Sequence, residues 1–224
     1  MIHGGGWDSG DAAQLPELSW HLAQHGYSVA AISYRLAPKW KWPAQREDAF
    51  AAADYIKAHA QELNVDPSNW VVMGRSAGRQ IAQCVAFQKR DPSLKGLIAY
   101  YSPADMDFAY RYAKDKDIIN SKDLLVNFLG GTPAQTPAAY SDASPIGFVD
   151  ADSPPTLLVH GTPDPLTWCL QSRRLYDVMK KAGRPVVYIE LPWATHAFDF
   201  SLNGPSGQIA TSAVDFFLNA VTRR

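Results

Sequence analysis

Cysteine is nearly absent from this chain. Cys84 and Cys169 are the two it has, and both fall in segments patterned as helices, which argues against a disulfide framework and leaves the compartment unread from thiols. No apolar run approaches the roughly 20 residues needed to cross a bilayer. Neither sign of charge predominates: 21 basic side chains meet 22 acidic ones, so nothing supports a nucleic acid or an acidic membrane as partner. Internal repeats, low-complexity tracts and Gly/Ser linkers are missing as well. No charged, apolar, small-residue leader precedes the first motif. A cytoplasmic chain is therefore the default expectation, and the N-terminus reads as truncated.

What is present belongs to a globular protein. Hydrophobic residues make up 46% and aromatics 12% of the 224 residues, which excludes a disordered chain and suffices for the core of one domain spanning 1–224. Strand-like runs at about 27–34, 70–74, 96–101, 156–160 and 186–190 alternate with helix-like segments at about 44–60, 77–89, 167–182 and 206–221. Such alternation predicts an α/β fold, a mostly parallel sheet with helices on both faces. In the last helix, Ala213, Val214, Phe216, Phe217 and Val221 predict one core-facing stripe. Residues 103–150, rich in Tyr, Lys, Asp and Pro, read as an irregular, lid-like insertion or pocket wall.

The motif with the most chemical content is Gly74-Arg75-Ser76-Ala77-Gly78, directly after the apolar run Trp70–Met73. A strand that ends in G-x-S-x-G and enters a helix makes a sharp turn that lifts the serine hydroxyl off the sheet. Glycines flank it because a Cβ there would strike the neighbouring backbone. Ser76 is thus the candidate nucleophile, with a helix-capping serine as the alternative. Of six histidines, His196 follows the 186–190 strand on a loop, at the sheet edge where open α/β sheets place their chemistry. His21 and His25 share a helix face but lack a third ligand or an H-E-x-x-H pattern, so they read as surface residues and no metal is expected. Asp164, shortly after the 156–160 strand, is the candidate to orient the imidazole, with a helix cap as the alternative. Asp199 lies only three residues from His196, and Asp152 precedes its strand, so both are weaker rivals. The order Ser76, Asp164, His196 is one that acyl-transfer triads use. Consecutive glycines Gly4, Gly5 and Gly6 allow backbone N–H groups close to a substrate oxygen, and the Ala77 N–H at a helix start adds a donor.

These residues together resemble the carboxylesterase branch of the α/β-hydrolases, in particular its hormone-sensitive-lipase-like and feruloyl- or acetyl-esterase-like members. The resemblance rests on His3-Gly4-Gly5-Gly6-Trp7, Ser33–Pro38, Gly74–Gly78, His160–Asp164 and His196-Ala197-Phe198. It implies oxyanion donors at Gly5, Gly6 and Ala77, and hydrolysis of short-chain or aryl esters without metal or organic cofactor. It also implies a structural role for Arg35–Pro38 and for Asp48. An arylformamidase or a serine peptidase would use the same constellation, and a silent binding protein on this fold is the alternative from another class.

Two departures from the family pattern stand out. Arg79 occupies a place where the family has a glycine; the expectation is impaired packing beside the nucleophile, with an anion-binding role as the alternative. The strand that normally leads into the glycine loop is reduced to Met1-Ile2, so the family's N-terminal strands are expected to be missing and an oligomer lending a strand is one outcome.

Overall fold

The computed structural model describes residues 1–222. In chain order it places α1 (Pro16–Gln24), α2 (Ala44–Ala58), β1 (Trp70–Arg75), α3 (Ala77–Gln88), β2 (Leu94–Tyr100) and α4 (Met106–Tyr112). Then come α5 (Ser121–Leu129), α6 (Pro137–Asp142), β3 (Thr156–Gly161), α7 (Leu170–Lys181), β4 (Val186–Leu191) and α8 (Pro205–Thr222). The strands form one sheet in the order β1-β2-β3-β4, and every neighbouring pair is parallel.

Side chains alternate across a strand, and both faces of this sheet are covered. Val72, Leu97, Ala99 and Leu158 pack into a core with α3 and α7, including Ile81, Leu175 and Met179. Met73, Ile98, Tyr100, Leu157 and Val159 enter a second core with Leu18 and Leu22 of α1 and Val214 and Phe217 of α8. Ile81, Leu158 and Leu175 are fully buried, and each such side chain stabilises the fold by roughly 2 kcal/mol of apolar transfer. The expected parallel sheet is thus observed, and all four strand ends point their C-termini at one edge. Among the described residues no helix is long and apolar enough to cross a membrane.

Three expectations change. Residues 27–34 form no strand: Ile2 makes single parallel bridges to Ile32 and to Gly74. The apolar pattern is there, but only Met1 and Ile2 lie between this segment and β1, which is too little backbone for a ladder. Residues 103–150 are not irregular. They carry α4, α5, α6 and the 3-10 helix Pro145–Phe148, all too short to show a sustained period in sequence. Their start is fixed by Gln171 Oε1, which accepts from the Ala104 and Asp105 N–H groups at 3.0 Å each. In α8, Phe216 is 82% exposed; two residues from Val214, it sits about 200° around the helix from the buried stripe.

Candidate active site

Ser76 begins α3 with φ 49° and ψ −130°, in the left-handed half of backbone space. That conformation is sparsely populated by non-glycine residues and persists only where the surroundings impose it. Here they do. A Cβ on Gly74 would lie 2.2 Å from the Gly78 carbonyl oxygen, and one on Gly78 would lie 2.2 Å from that of His3. The expected steric role of both glycines is therefore present. The Ser76 hydroxyl makes no capping bond to the helix; it lies 2.9 Å from His196 Nε2 instead.

His196 sits on the loop after β4, and its Nδ1 lies 2.8 Å from Asp164 Oδ2. Its ring packs edge-on against Tyr101, with centroids 4.7 Å apart. Asp164, on the loop after β3, divides its two oxygens between two tasks. Oδ1 accepts from the Leu166 and Thr167 N–H groups at 2.9 Å each, fixing the turn. Oδ2 faces His196 and, at 3.3 Å, His160 Nε2. Burial alone would raise the Asp164 pKa, but hydrogen bonds from His160, His196 and the Thr167 N–H outweigh it and hold the carboxyl well below its ordinary range. The rival acids are elsewhere. Asp199 is buried against Arg75 Nη1 at 3.2 Å and the Tyr101 hydroxyl, and Asp152 is exposed before β3.

The glycine loop lies across the same edge. Gly5 and Gly6 have φ of 114° and 59°, and a Cβ on Gly5 would lie 2.2 Å from the Ser9 carbonyl oxygen. The Gly4 N–H is taken by Gln14 Oε1 at 2.9 Å. The loop is anchored at both ends: His3 stacks on Tyr34 at 4.3 Å, and Trp7 stacks on Phe128 of α5 at 4.5 Å. The Trp7 indole also donates to Gln80 Oε1 at 3.2 Å, and Gln80 in turn donates to the Ala143 carbonyl at 2.8 Å. Gly5, Gly6, Ser76, Ala77 and His196 together line a cavity of about 460 Å³. Its far wall comes from the 103–150 segment and the start of α7, with Phe108, Tyr112, Leu124 and Trp168 among the lining side chains.

Arg79 overturns the anion-binding reading of its sequence position. It is fully buried and absent from the cavity lining, so it neither crowds the pocket nor meets a ligand there. Its guanidinium passes behind the sheet edge to Ser172 on α7. His21 and His25 do have a third potential ligand beside them, which their spacing in sequence did not show: Asp215 of α8 lies 2.9 Å from His21 Nε2, joining α1 to α8. Arg35 binds Asp48 through both backbone and guanidinium N–H groups, at 2.8 and 2.9 Å. Cys84 and Cys169 are free thiols. Sequence reasoning did not assign His160, Ser172 or Tyr101, although the His160-Gly161 pair beside Asp164 was a signal for the first.

Residues 1–179 match the BD-FAE family model. The "Probable carboxylic ester hydrolase LipM" of Mycobacterium tuberculosis is 30% identical over 239 residues, covering 99% of this chain and 53% of its own length. The chain spans about half the length of the curated relatives it matches. Among solved structures, a thermophilic esterase from Thermogutta terrifontis with butyrate bound aligns with a TM-score of 0.80 at 26% identity, covering 98% of this chain and 81% of that one. An acetyl ester-xyloside bifunctional hydrolase from Caldicellulosiruptor lactoaceticus aligns with a TM-score of 0.82 at 25% identity, covering 98% and 82%.

Proposed function

The chain belongs to the BD-FAE family of α/β-hydrolases, and from that membership we propose that it hydrolyses carboxylic esters of short-chain acids or aryl groups through an acyl-enzyme. The observation that carries this reading is the unbroken line from Ser76 Oγ through His196 to Asp164, opening on a cavity of about 460 Å³. A volume of that order suits a small organic ester.

In the proposed reaction Ser76 Oγ attacks the ester carbonyl while His196 Nε2 takes its proton. The imidazolium so formed donates through Nδ1–H to Asp164, whose ionised state is favoured by its three other donors. Gly5, Gly6 and Ala77 offer their N–H groups to the developing oxyanion, and Gly4 does not, because Gln14 holds its N–H. Such a donor contributes about 3 kcal/mol to the transition state in other acyl-transfer enzymes. His196 then gives its proton to the leaving alcohol oxygen. Water, deprotonated by the same nitrogen, attacks the acyl carbonyl and frees the acid and Ser76. The butyrate-bound relative and the apolar wall of Phe108, Tyr112 and Trp168 support short acyl and aryl groups.

The test is burst release of p-nitrophenol from p-nitrophenyl acetate, with a panel of acetyl, butyryl, feruloyl and formamide substrates. A burst that vanishes in Ser76→Ala is expected, with esters turned over faster than the formamide. Equal turnover in Ser76→Ala would overturn the assignment of the nucleophile, and a preference for formamide that of the substrate class.

A further inference from the structure

A cationic side chain sits where the fold can least solvate it. Arg79 occupies the first turn of α3, its N–H bonded to the Ser76 carbonyl at 2.8 Å, and its side chain is 0% exposed. Nη1 donates to Ser172 Oγ at 2.7 Å. With the Gln83 amide turned so that its oxygen faces the guanidinium, Gln83 accepts from Nε and, at 3.2 Å, from Nη2. Ser172, itself 0% exposed, lies 2.7 Å from His160 Nδ1. His160 Nε2 lies 2.9 Å from the Thr167 carbonyl oxygen and 3.3 Å from Asp164 Oδ2.

Donor and acceptor rules fix every proton in this line. A guanidinium can only donate, so Ser172 Oγ accepts from Arg79 and spends its one hydroxyl proton on His160 Nδ1. Nδ1 is therefore the bare nitrogen, and Nε2 carries the hydrogen that a carbonyl and a carboxylate both require. The opposite tautomer would set a lone pair against those two oxygens and two donors against Ser172. We propose that Arg79, Ser172 and His160 form a positioning relay behind the triad, in which the guanidinium turns the Ser172 hydroxyl onto His160 Nδ1, keeps that nitrogen bare, and so keeps the Nε2–H on Asp164 and Asp164 aimed at His196.

This proposal rests on the Ser76–His196–Asp164 reading, and it deepens that reading by adding residues that never touch substrate. Among the described residues, charged and titratable groups pack around the relay from three elements. Asp164 and His160 come from β3 and its following loop, and Tyr188 from β4, where its phenol donates to Glu190 at 2.8 Å. From α7 comes Arg173, which binds Glu190, and from its N-cap the neutral Cys169, whose thiol burial pushes up. Burial brings the Arg79 pKa down to about 9, so the group is charged at neutral pH. Burial first, and then the Arg79 charge, keeps His160 from taking a second proton, against the pull of Asp164. Removing Arg79 therefore raises the proton affinity of His160 and takes a positive charge from behind the triad, and loss of activity moves toward higher pH.

The experiment compares wild type with Arg79→Met, Arg79→Lys and Ser172→Ala, by the pH profile of kcat/KM on p-nitrophenyl acetate and by 15N NMR of the His160 ring. We expect the acid limb of Arg79→Met to move up by about half a pH unit or more, with Arg79→Lys restoring much of it. Wild-type His160 stays in the neutral Nε2–H form through the acid limb, whereas in Arg79→Met and Ser172→Ala its Nδ1 takes a second proton at a pH higher by about half a unit or more. Melting temperature separates this from a packing role: Arg79→Met melts no lower, because a buried charge without a carboxylate partner costs stability. Should Arg79→Met not fold, Ser172→Ala decides alone by the same two readouts. The relay is overturned by an acid limb within about 0.2 units of wild type, or by a His160 ring that resists its second proton as well in the variants as in wild type. Failure of the triad itself would show separately, as turnover that survives Ser76→Ala, and the ring measurement needs no activity.

Discussion

Replacing Asp164 by asparagine changes one oxygen to a nitrogen, and the structure dictates which one. Oδ1 accepts from the Leu166 and Thr167 N–H groups at 2.9 Å each, so the amide oxygen of the variant must stay there. Turning the amide round would set two backbone donors against an NH2 group, at about 1–3 kcal/mol for each buried group left unsatisfied. The NH2 therefore lands where Oδ2 was, facing His196 Nδ1 and His160 Nε2. Both of those nitrogens carry hydrogen in the wild-type arrangement, and donor now meets donor. His196 relieves the conflict by moving its proton to Nε2, the atom that must accept from Ser76. In a serine protease the corresponding exchange leaves the geometry intact and lowers kcat about 10⁴-fold, which is about 5 kcal/mol of barrier. We expect a loss of that size in Asp164→Asn, with KM little changed, measured by steady-state hydrolysis of p-nitrophenyl acetate. A variant that keeps more than about a tenth of wild-type kcat would refute the amide argument and the role of Asp164 with it.

Gly78→Ala drives a methyl group to 2.2 Å from the His3 carbonyl oxygen, an atom that cannot swing away; the expected cost is about 3 kcal/mol or more, read as a melting temperature lower by several degrees. An unchanged melting temperature would mean that the glycine loop yields. Stability is also expected to fall with acid in two stages. His160 has a folded pKa held below its ordinary 6.5 by burial, so below that pH the unfolded chain binds the extra proton and the folded state loses ground. Asp164 repeats this below its ordinary 3.8, since its folded pKa is lower still. Denaturant midpoints at about pH 8 and about pH 5 for wild type and His160→Gln isolate the first stage, and a parallel pH dependence in both proteins would exclude His160 as its source.

The site was legible because its residues follow strand ends that local chemistry marks. Apolar runs flag β1, β3 and β4; Ser76 follows the first directly, and Asp164 and His196 follow the others by short loops, with residue types that need no partner to be recognised. The destination of Arg79 was not legible. Its side chain crosses to α7, and only the folded proximity of Ser172 and His160 shows that it is satisfied rather than misplaced. Segment 27–34 failed for the converse reason, since strand propensity describes a residue while a strand requires a neighbour along its whole length. Helices α4–α6 escaped because six to nine residues hold too few turns for a period to emerge. Phe216 was counted with the buried stripe of α8 by composition, where the 100° step of the helix places it outside.

The stacking of Trp7 on Phe128 has a consequence for anyone who would alter substrate range. The indole is held from two sides, by Phe128 at 4.5 Å and by Gln80, which is itself anchored on the Ala143 carbonyl. The 103–150 segment is thus at once the pocket's wall and the brace of the glycine loop. Mutational freedom within it is unequal. Phe108 and Tyr112 line the cavity without touching the brace, so they can be exchanged to admit other acyl groups. Phe128 is a keystone: shortening it releases Trp7, and the Gly4–Gly6 backbone proposed to meet the substrate oxygen drifts with it.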